Sequence, residues 1–421
     1  MNDLAEVAVR RSRRTERSLP DFSALQDTQR VLEVVRKSDL RLPGEQWDRC
    51  VLESVRNRTY EEPTKRAKSS TLITYRLSGP SDLATASAQV FLRAFIEPRP
   101  DRYPNGSVVI PDLRGYAWRF PDDPHIPALS TIVPVDSEST VDVLRYKPAD
   151  RCTLRIQRTD GSTVQNALVA KVFSSIERAT AVFERAQHMW HESSRSAGAL
   201  KVPEPVRLDR SKATVWMTEL AGTSPRRAGI YEDQPTLIAR ALAAVHRSAD
   251  GDLPVRTYPE QIAEMSAKVQ NLATVVPSNA SALANLMQIQ RDSTPSTART
   301  CPTHGAFRLR QLLLSDRDVG LVDFDSMALG DPLEDVADMV LDLDPFFNVG
   351  AATNSALAES FLHAYESYVG ALDESVLAWH LPAQLIKRAH WLRTSAQANS
   401  TVHAELVARI DRAVVMAGVG R

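Results

Sequence analysis

Residues 304–338 read HGAFRLRQLLLSDRDVGLVDFDSMALGDPLEDVAD, and the fold is decided in this stretch. Val319–Val322 is a short apolar run of the kind that forms a buried strand. It delivers Asp323 to its end, followed by Phe324 and Asp325. A second short strand, Gln311–Leu314, precedes it. Two carboxylates at the end of a strand pair offer oxygen ligands to a divalent cation. Gly330-Asp331-Pro332 then opens a helix, with Asp331 suited to the N-cap and Pro332 to the first helical position. Asp335 follows four residues later.

Working outward, the pattern is helical almost throughout after Gly222, as in Leu237–Arg247 and Ile262–Leu272. Before it lies a β-rich section. Val141–Tyr146, Cys152–Gln157 and Ala167–Phe173 read as three strands. A helix from about Ser175 to Ser193 carries Ile176, Ala179, Val182, Phe183, Ala186 and Trp190 on one face. Two more strands fall around Val206 and at Ala213–Leu220. Further back, Thr71–Leu77 and Val90–Ile96 are rich in β-branched and aromatic residues, as strands are. Residues 21–56 look helical. Pro98–Pro134 has the Pro, Asp and Gly content of a loop or linker, in which Trp118 and Phe120 dock on a neighbour. Residues 1–20 form a polar, arginine-rich lead.

The composition excludes several functions. The chain has 421 residues with 51 basic and 52 acidic side chains, a net charge of −1. It is therefore no strongly basic nucleic-acid binder and no acidic disordered solvator. No stretch reaches the ~20 apolar residues of a membrane span. The three cysteines, Cys50, Cys152 and Cys301, make no metal or disulfide pattern and point to a reducing cytoplasm. Arginine is this chain's default cation, since only nine of the basic residues are lysines. A lysine at 171 on an apolar strand therefore stands out, and its compact ammonium suits either a phosphate contact or a structural ion pair.

These motifs resemble the catalytic core of the aminoglycoside phosphotransferase and choline kinase family, which shares the protein-kinase-like fold. His304-Gly305, Val322-Asp323-Phe324-Asp325, Gly330-Asp331-Pro332 and Asp335-Val336-Ala337 follow the family's order and spacing. The resemblance covers residues ~140–400 and implies an α+β, two-lobed fold. The small β-rich lobe would span about 136–222 and the helical large lobe 223–421, with an extra N-terminal α/β module over 21–135. It also implies site residues. Lys171 sits where the family's strand lysine grips the α- and β-phosphates of ATP or GTP. Glu177 or Glu184 on the next helix would be its ion-pair partner. Arg145, Lys147 and Arg151 surround the turn where a phosphate-covering loop would lie. Glu219 falls at the hinge between lobes. Asp323, with Gln311 in place of the family's asparagine, would hold Mg²⁺.

Two departures matter. The family's catalytic aspartate falls on Ala306, which cannot act as a general base. The turn at 147–151 has no glycine. Asp325 or a carboxylate from the substrate side could substitute for the base, and Arg308 and Arg310 offer contacts to phosphate, an anionic substrate or a partner's carboxylate. The implied activity is transfer of the γ-phosphoryl group to a hydroxyl of a small molecule or peptide, in bacterial natural-product biosynthesis or resistance. The alternative is a pseudokinase that binds nucleotide, or serves as a scaffold for a protein partner.

Overall fold

Strand-forming segments between Val51 and Arg119 build a sheet, and helical periodicity after residue 230 builds a bundle. The computed structural model describes Glu33 and residues 51–60, 70–78, 87–95, 103–133, 139–160, 163–164, 167–225, 230–231, 233–296, 300–315, 318–344, 355–395 and 400–418. The basic lead and, Glu33 apart, the expected helix before residue 51 lie outside these. The chain divides into two units at Pro124/His125.

In the first unit, strands β1 (Val51–Tyr60), β2 (Ser70–Ser78), β3 (Ser87–Phe95), β4 (Val108–Ile110) and β5 (Gly115–Arg119) form one sheet in the order β1-β2-β3-β5-β4. All of its pairings are antiparallel. Over Val51–Arg56, where the sequence predicts a helix, the chain instead forms a strand: VLESVRNRTY pairs with β2. The loop expected over 98–134 holds β4, β5 and a helical turn at Leu129–Ile132. Gly115 permits this: a Cβ there would lie 2.1 Å from the Arg93 carbonyl oxygen on β3. Trp118 is buried and stacks on Phe91 at 5.7 Å.

The second unit, which includes the Leu129–Ile132 turn, continues with strands β6 (Ser139–Lys147), β7 (Arg151–Asp160), β8 (Thr163–Val164), β9 (Leu168–Phe173), β10 (Pro205–Asp209) and β11 (Thr214–Thr218). The sheet order is β10-β11-β9-β7-β6, with β8 beside β7. Helix α1 (Ile176–Arg195) starts at Ser175, whose hydroxyl accepts the Arg178 N–H, and packs Ala179 and Val182 on Phe173, Val215 and Met217. The helical lobe follows. It contains α2 (Gln234–His246), α3 (Tyr258–Val275), α4 (Ala280–Asp292), α5 (Leu333–Leu343), α6 (Ser355–Val369), α7 (Glu374–Ser395) and α8 (Ser400–Met416). A capping box between Thr257 and Glu260 starts α3. Between α4 and α5 run four three-residue strands, β12 (Cys301–Thr303), β13 (Leu312–Leu314), β14 (Val319–Leu321) and β15 (Ala328–Gly330), paired as β12-β15 and β13-β14. One core joins α2, α5 and α6 to Phe307, Leu312, Leu321 and Phe324, so the loop between β12 and β13 rests on solid packing. Among the described residues, no helix is long and apolar enough to cross a membrane.

Candidate active site

Lys171 lies mid-strand on β9, between Thr153 of β7 and Val215 of β11. Its side chain leaves the sheet toward the helical lobe. There Nζ lies 2.7 Å from Asp323 Oδ1 and 2.7 Å from Asp325 Oδ1. Burial works against the ammonium, but the two carboxylates outweigh it and hold its pKa above the ordinary lysine value. Burial likewise opposes the Asp323 carboxylate, and Lys171, then Arg151, hold that carboxyl well below its usual range. Asp323 takes a left-handed backbone, φ 75°, as β14 gives way to the single turn Phe324–Ser326. That kink turns two carboxylates, two residues apart, toward the same ammonium.

Asp325 is enclosed. Its Oδ1 faces Lys171, and its Oδ2 accepts from Arg151 at 2.5 Å. Its backbone carbonyl accepts from Arg185 at 2.5 Å. The structure thus brings Asp325 into the lysine cluster.

The loop after β12 is held from below. Asp335, fully buried on α5, accepts the backbone N–H of His304 at 2.6 Å and of Gly305 at 2.9 Å. His246 Nε2 lies 3.3 Å from the same carboxylate, and His246 Nδ1 meets the Tyr365 hydroxyl at 2.6 Å. His304 donates from Nε2 to the Val322 carbonyl at 3.2 Å, tying the loop to β14 just before Asp323. Phe324 packs edge-on against the His304 ring. His304 is thus a support for the loop. Gly305 has φ 73°, and a Cβ there would come within 2.4 Å of the Ser326 carbonyl oxygen. Asp331 receives the Leu333 N–H at 2.8 Å and the Tyr258 hydroxyl. The helix itself begins at Leu333, with Pro332 in the cap position.

Other expected site residues are placed as follows. Gln311 is buried, and its amide oxygen accepts from Arg310 Nε at 3.3 Å. Arg308 pairs with Asp338 at 2.9 Å. Glu177 accepts from the Ser175 hydroxyl, and neither it nor Glu184 forms an ion pair with Lys171. The α1 residue that reaches the site is Arg185. It follows Val182 by three positions, so a charged side chain on the apolar face was the available signal. Glu219 pairs with Arg155 at 2.7 Å, and its backbone N–H goes to the Ala167 carbonyl. Lys147 lies 3.7 Å from Asp150 across the β6–β7 turn, where Ala149 takes the positive φ (62°) that a glycine would adopt freely. Arg145 lies on β6, close enough to Arg310 to lower its pKa.

Asp323 and Gln311 would offer Mg²⁺ a carboxylate and an amide oxygen, both hard ligands, and in this structure the Gln311 oxygen faces Arg310. Mg²⁺ is commonly held by one or two protein carboxylates with the remaining positions left to water and phosphate. Among the described residues, no group of three or more His, Cys, Asp or Glu side chains forms a self-sufficient metal cage.

An inward lysine on a small sheet, meeting paired aspartates on a helical lobe, defines a two-lobed, kinase-like phosphotransferase. The sequence matches the model of the phosphotransferase enzyme family (APH) over residues 153–380, more than half of the chain, and the chain belongs to that family. Solved structures similar to it include an aminoglycoside-3'-phosphotransferase of type VIII, 16% identical, covering 62% of this chain and 98% of that one, with a TM-score of 0.48. A spectinomycin phosphotransferase in complex with ADP and spectinomycin is 11% identical, covering 66% and 92%, with a TM-score of 0.47. A choline/ethanolamine kinase family protein from Mesorhizobium loti is 14% identical, covering 70% and 92%, also at 0.47. No curated protein matches the sequence.

Proposed function

We propose that the protein transfers the γ-phosphoryl group of ATP or GTP to a hydroxyl of a small molecule or peptide. The observation that carries this reading is Lys171 Nζ at 2.7 Å from both Asp323 and Asp325, within a chain of the phosphotransferase family. Without nucleotide, the ammonium and the carboxylates neutralise each other. With nucleotide, Lys171 exchanges carboxylate oxygens for phosphate oxygens, and Asp323 and Gln311 become available to the metal. Mg²⁺ held there would neutralise charge on the phosphate oxygens. Arg151 keeps Asp325 paired when Lys171 turns away.

Ala306 sets the rate. Phosphoryl transfer passes through a loose transition state and depends chiefly on positioning and electrostatics. It therefore proceeds without a base, at a cost of roughly 10²–10⁴-fold. The same alanine favours a second reading, a nucleotide-binding pseudokinase with a scaffolding role.

The test is ADP release from ATP, or GDP from GTP, in the presence of hydroxyl-bearing small molecules and Ser/Thr peptides. Acceptor-dependent release that is lost in Lys171→Met and Asp323→Asn supports the enzyme. Saturable nucleotide binding with no acceptor-dependent release supports the pseudokinase.

A further inference from the structure

Four arginines line one small cavity beside the altered loop. Arg308 and Arg310 come from the loop itself, Arg388 from α7 and Arg409 from α8. Leu309, Asp342 and Trp391 complete a cavity of about 100 Å³. That is room for one polar group, well below the roughly 300–1,000 Å³ of a site for a whole drug-sized ligand.

The cations are not matched one for one. Asp338 lies 2.9 Å from Arg308 and 3.3 Å from Arg388. Asp342 lies 2.5 Å from Arg388, and Glu405 2.5 Å from Arg409. Among the described residues, no carboxylate lies within ion-pair distance of Arg310. Its Nε points at the Gln311 amide oxygen, and its guanidinium sits 5.5 Å from the Trp391 ring centre. The Nε atoms of Arg308 and Arg388 are buried without a hydrogen-bond partner among the described residues.

Buried donors without acceptors are costly, and a surplus cation among like charges more so. One multi-oxygen anion relieves both, because guanidinium forks bind carboxylate and phosphate oxygens two at a time. Arg310 also touches Gln311, so an anion held here lies next to the segment that carries Ala306. We propose that this cavity binds an anionic group of the acceptor, a carboxylate or a phosphoryl group. Calling the ligand the acceptor rests on the phosphotransfer reading; the anion site itself rests on the cavity.

The test titrates the full chain with inorganic phosphate and, separately, with succinate, each against sodium chloride at equal ionic strength. Calorimetry gives the affinity, and tryptophan fluorescence reports from Trp391. Arg310 has no ion pair to lose, so Arg310→Gln should fold, and Arg409→Gln serves as a second variant. Saturable binding of either anion is expected, with about tenfold or greater weakening in both variants and loss of the fluorescence change in Trp391→Phe. Arg195→Gln, at an exposed position on α1, should bind like the wild type. Preference for phosphate assigns a phosphoryl group, and preference for succinate a carboxylate. Equal affinity in wild type and Arg310→Gln, or no binding above chloride, overturns the site. Magnesium–ADP titration of the same samples separates the two readings. Arg310-dependent anion binding without ADP binding removes the word acceptor and leaves the site. ADP binding without anion binding removes the site and leaves the phosphotransfer reading.

Discussion

Replacing Asp335 with asparagine tests how the loop around Ala306 is held. The carboxylate is fully buried, with one oxygen 2.6 Å from the His304 amide and the other 2.9 Å from the Gly305 amide. Asparagine keeps the shape but offers one acceptor oxygen and one NH₂ group. If the oxygen stays with Gly305, the NH₂ confronts the His304 N–H, donor against donor. If the amide flips, Gly305 is the one left unpaired. In either orientation one charge-assisted hydrogen bond is lost and one N–H is stranded, buried at His304 or partly buried at Gly305. The first loss is worth about 1.5–3 kcal/mol and the second about 1–3 kcal/mol, and they overlap, so Asp335→Asn should cost about 2–4 kcal/mol. At about 1–2 °C per kcal/mol for a chain of this size, Tm should fall by roughly 2–8 °C. Hydrogen exchange should show the largest loss of protection at His304 and Gly305, with the β7–β9 sheet unchanged. A variant within about 0.5 kcal/mol of wild type, with those amides still protected, would refute the claim that Asp335 anchors this loop.

Three further outcomes follow from the same geometry. Glu334 is buried against Lys387 at 2.6 Å and Arg256 at 3.0 Å, and although burial opposes its charge, these cations hold its pKa at about 2 instead of 4.5. The stability it contributes is therefore complete above pH ~4.5 and lost as pH falls toward ~2, amounting to about 3 kcal/mol at 1.36 kcal/mol per unit. Denaturation of Glu334→Gln from pH 6 to pH 2 should show an acid slope shallower by that amount; an unchanged slope contradicts it. Gly305→Ala should destabilise by more than about 1 kcal/mol, because the residue has φ 73° and the new Cβ meets the Ser326 carbonyl oxygen at 2.4 Å. Urea denaturation measures this, and a neutral effect would mean that the turn is not fixed as described. Ala306→Asp should raise acceptor-dependent turnover by about 10²-fold or more, read as ADP release. A wild type as fast as the variant would show that another group takes the proton.

The parts of the fold legible in the sequence were those governed by local pattern. The apolar run before Asp323 gave β14, and the one-sided stripe from Ile176 to Trp190 gave α1. β4 and β5 were hidden because their flanks are dense in Pro, Asp and Gly, and because β5 depends on a glycine pressed against the Arg93 carbonyl. Lys171 was legible as an odd lysine in an arginine-rich chain. Its partners were not: they lie 152 and 154 residues away, and the sequence pointed instead to Glu177 and Glu184, the nearest acids on the following helix. The arginine cavity was half legible. Arg308 and Arg310 stood out in the loop, but Arg388, Arg409 and Trp391 meet them only through the packing of α7 and α8, which no local pattern encodes.

Comparing ATP–Mg²⁺ binding by wild type and Lys171→Met tests the central claim most directly. A ligand at a hundred times its Kd stabilises the folded state by about 2.7 kcal/mol, so ligand-induced shifts within each protein can be compared even though the variant starts less stable. The account predicts a saturable upward shift in the wild type and a Kd weaker by about tenfold or more in Lys171→Met, as loss of a charged phosphate contact requires. No shift of the wild type at millimolar ATP–Mg²⁺, or equal affinity in the two proteins, would contradict it.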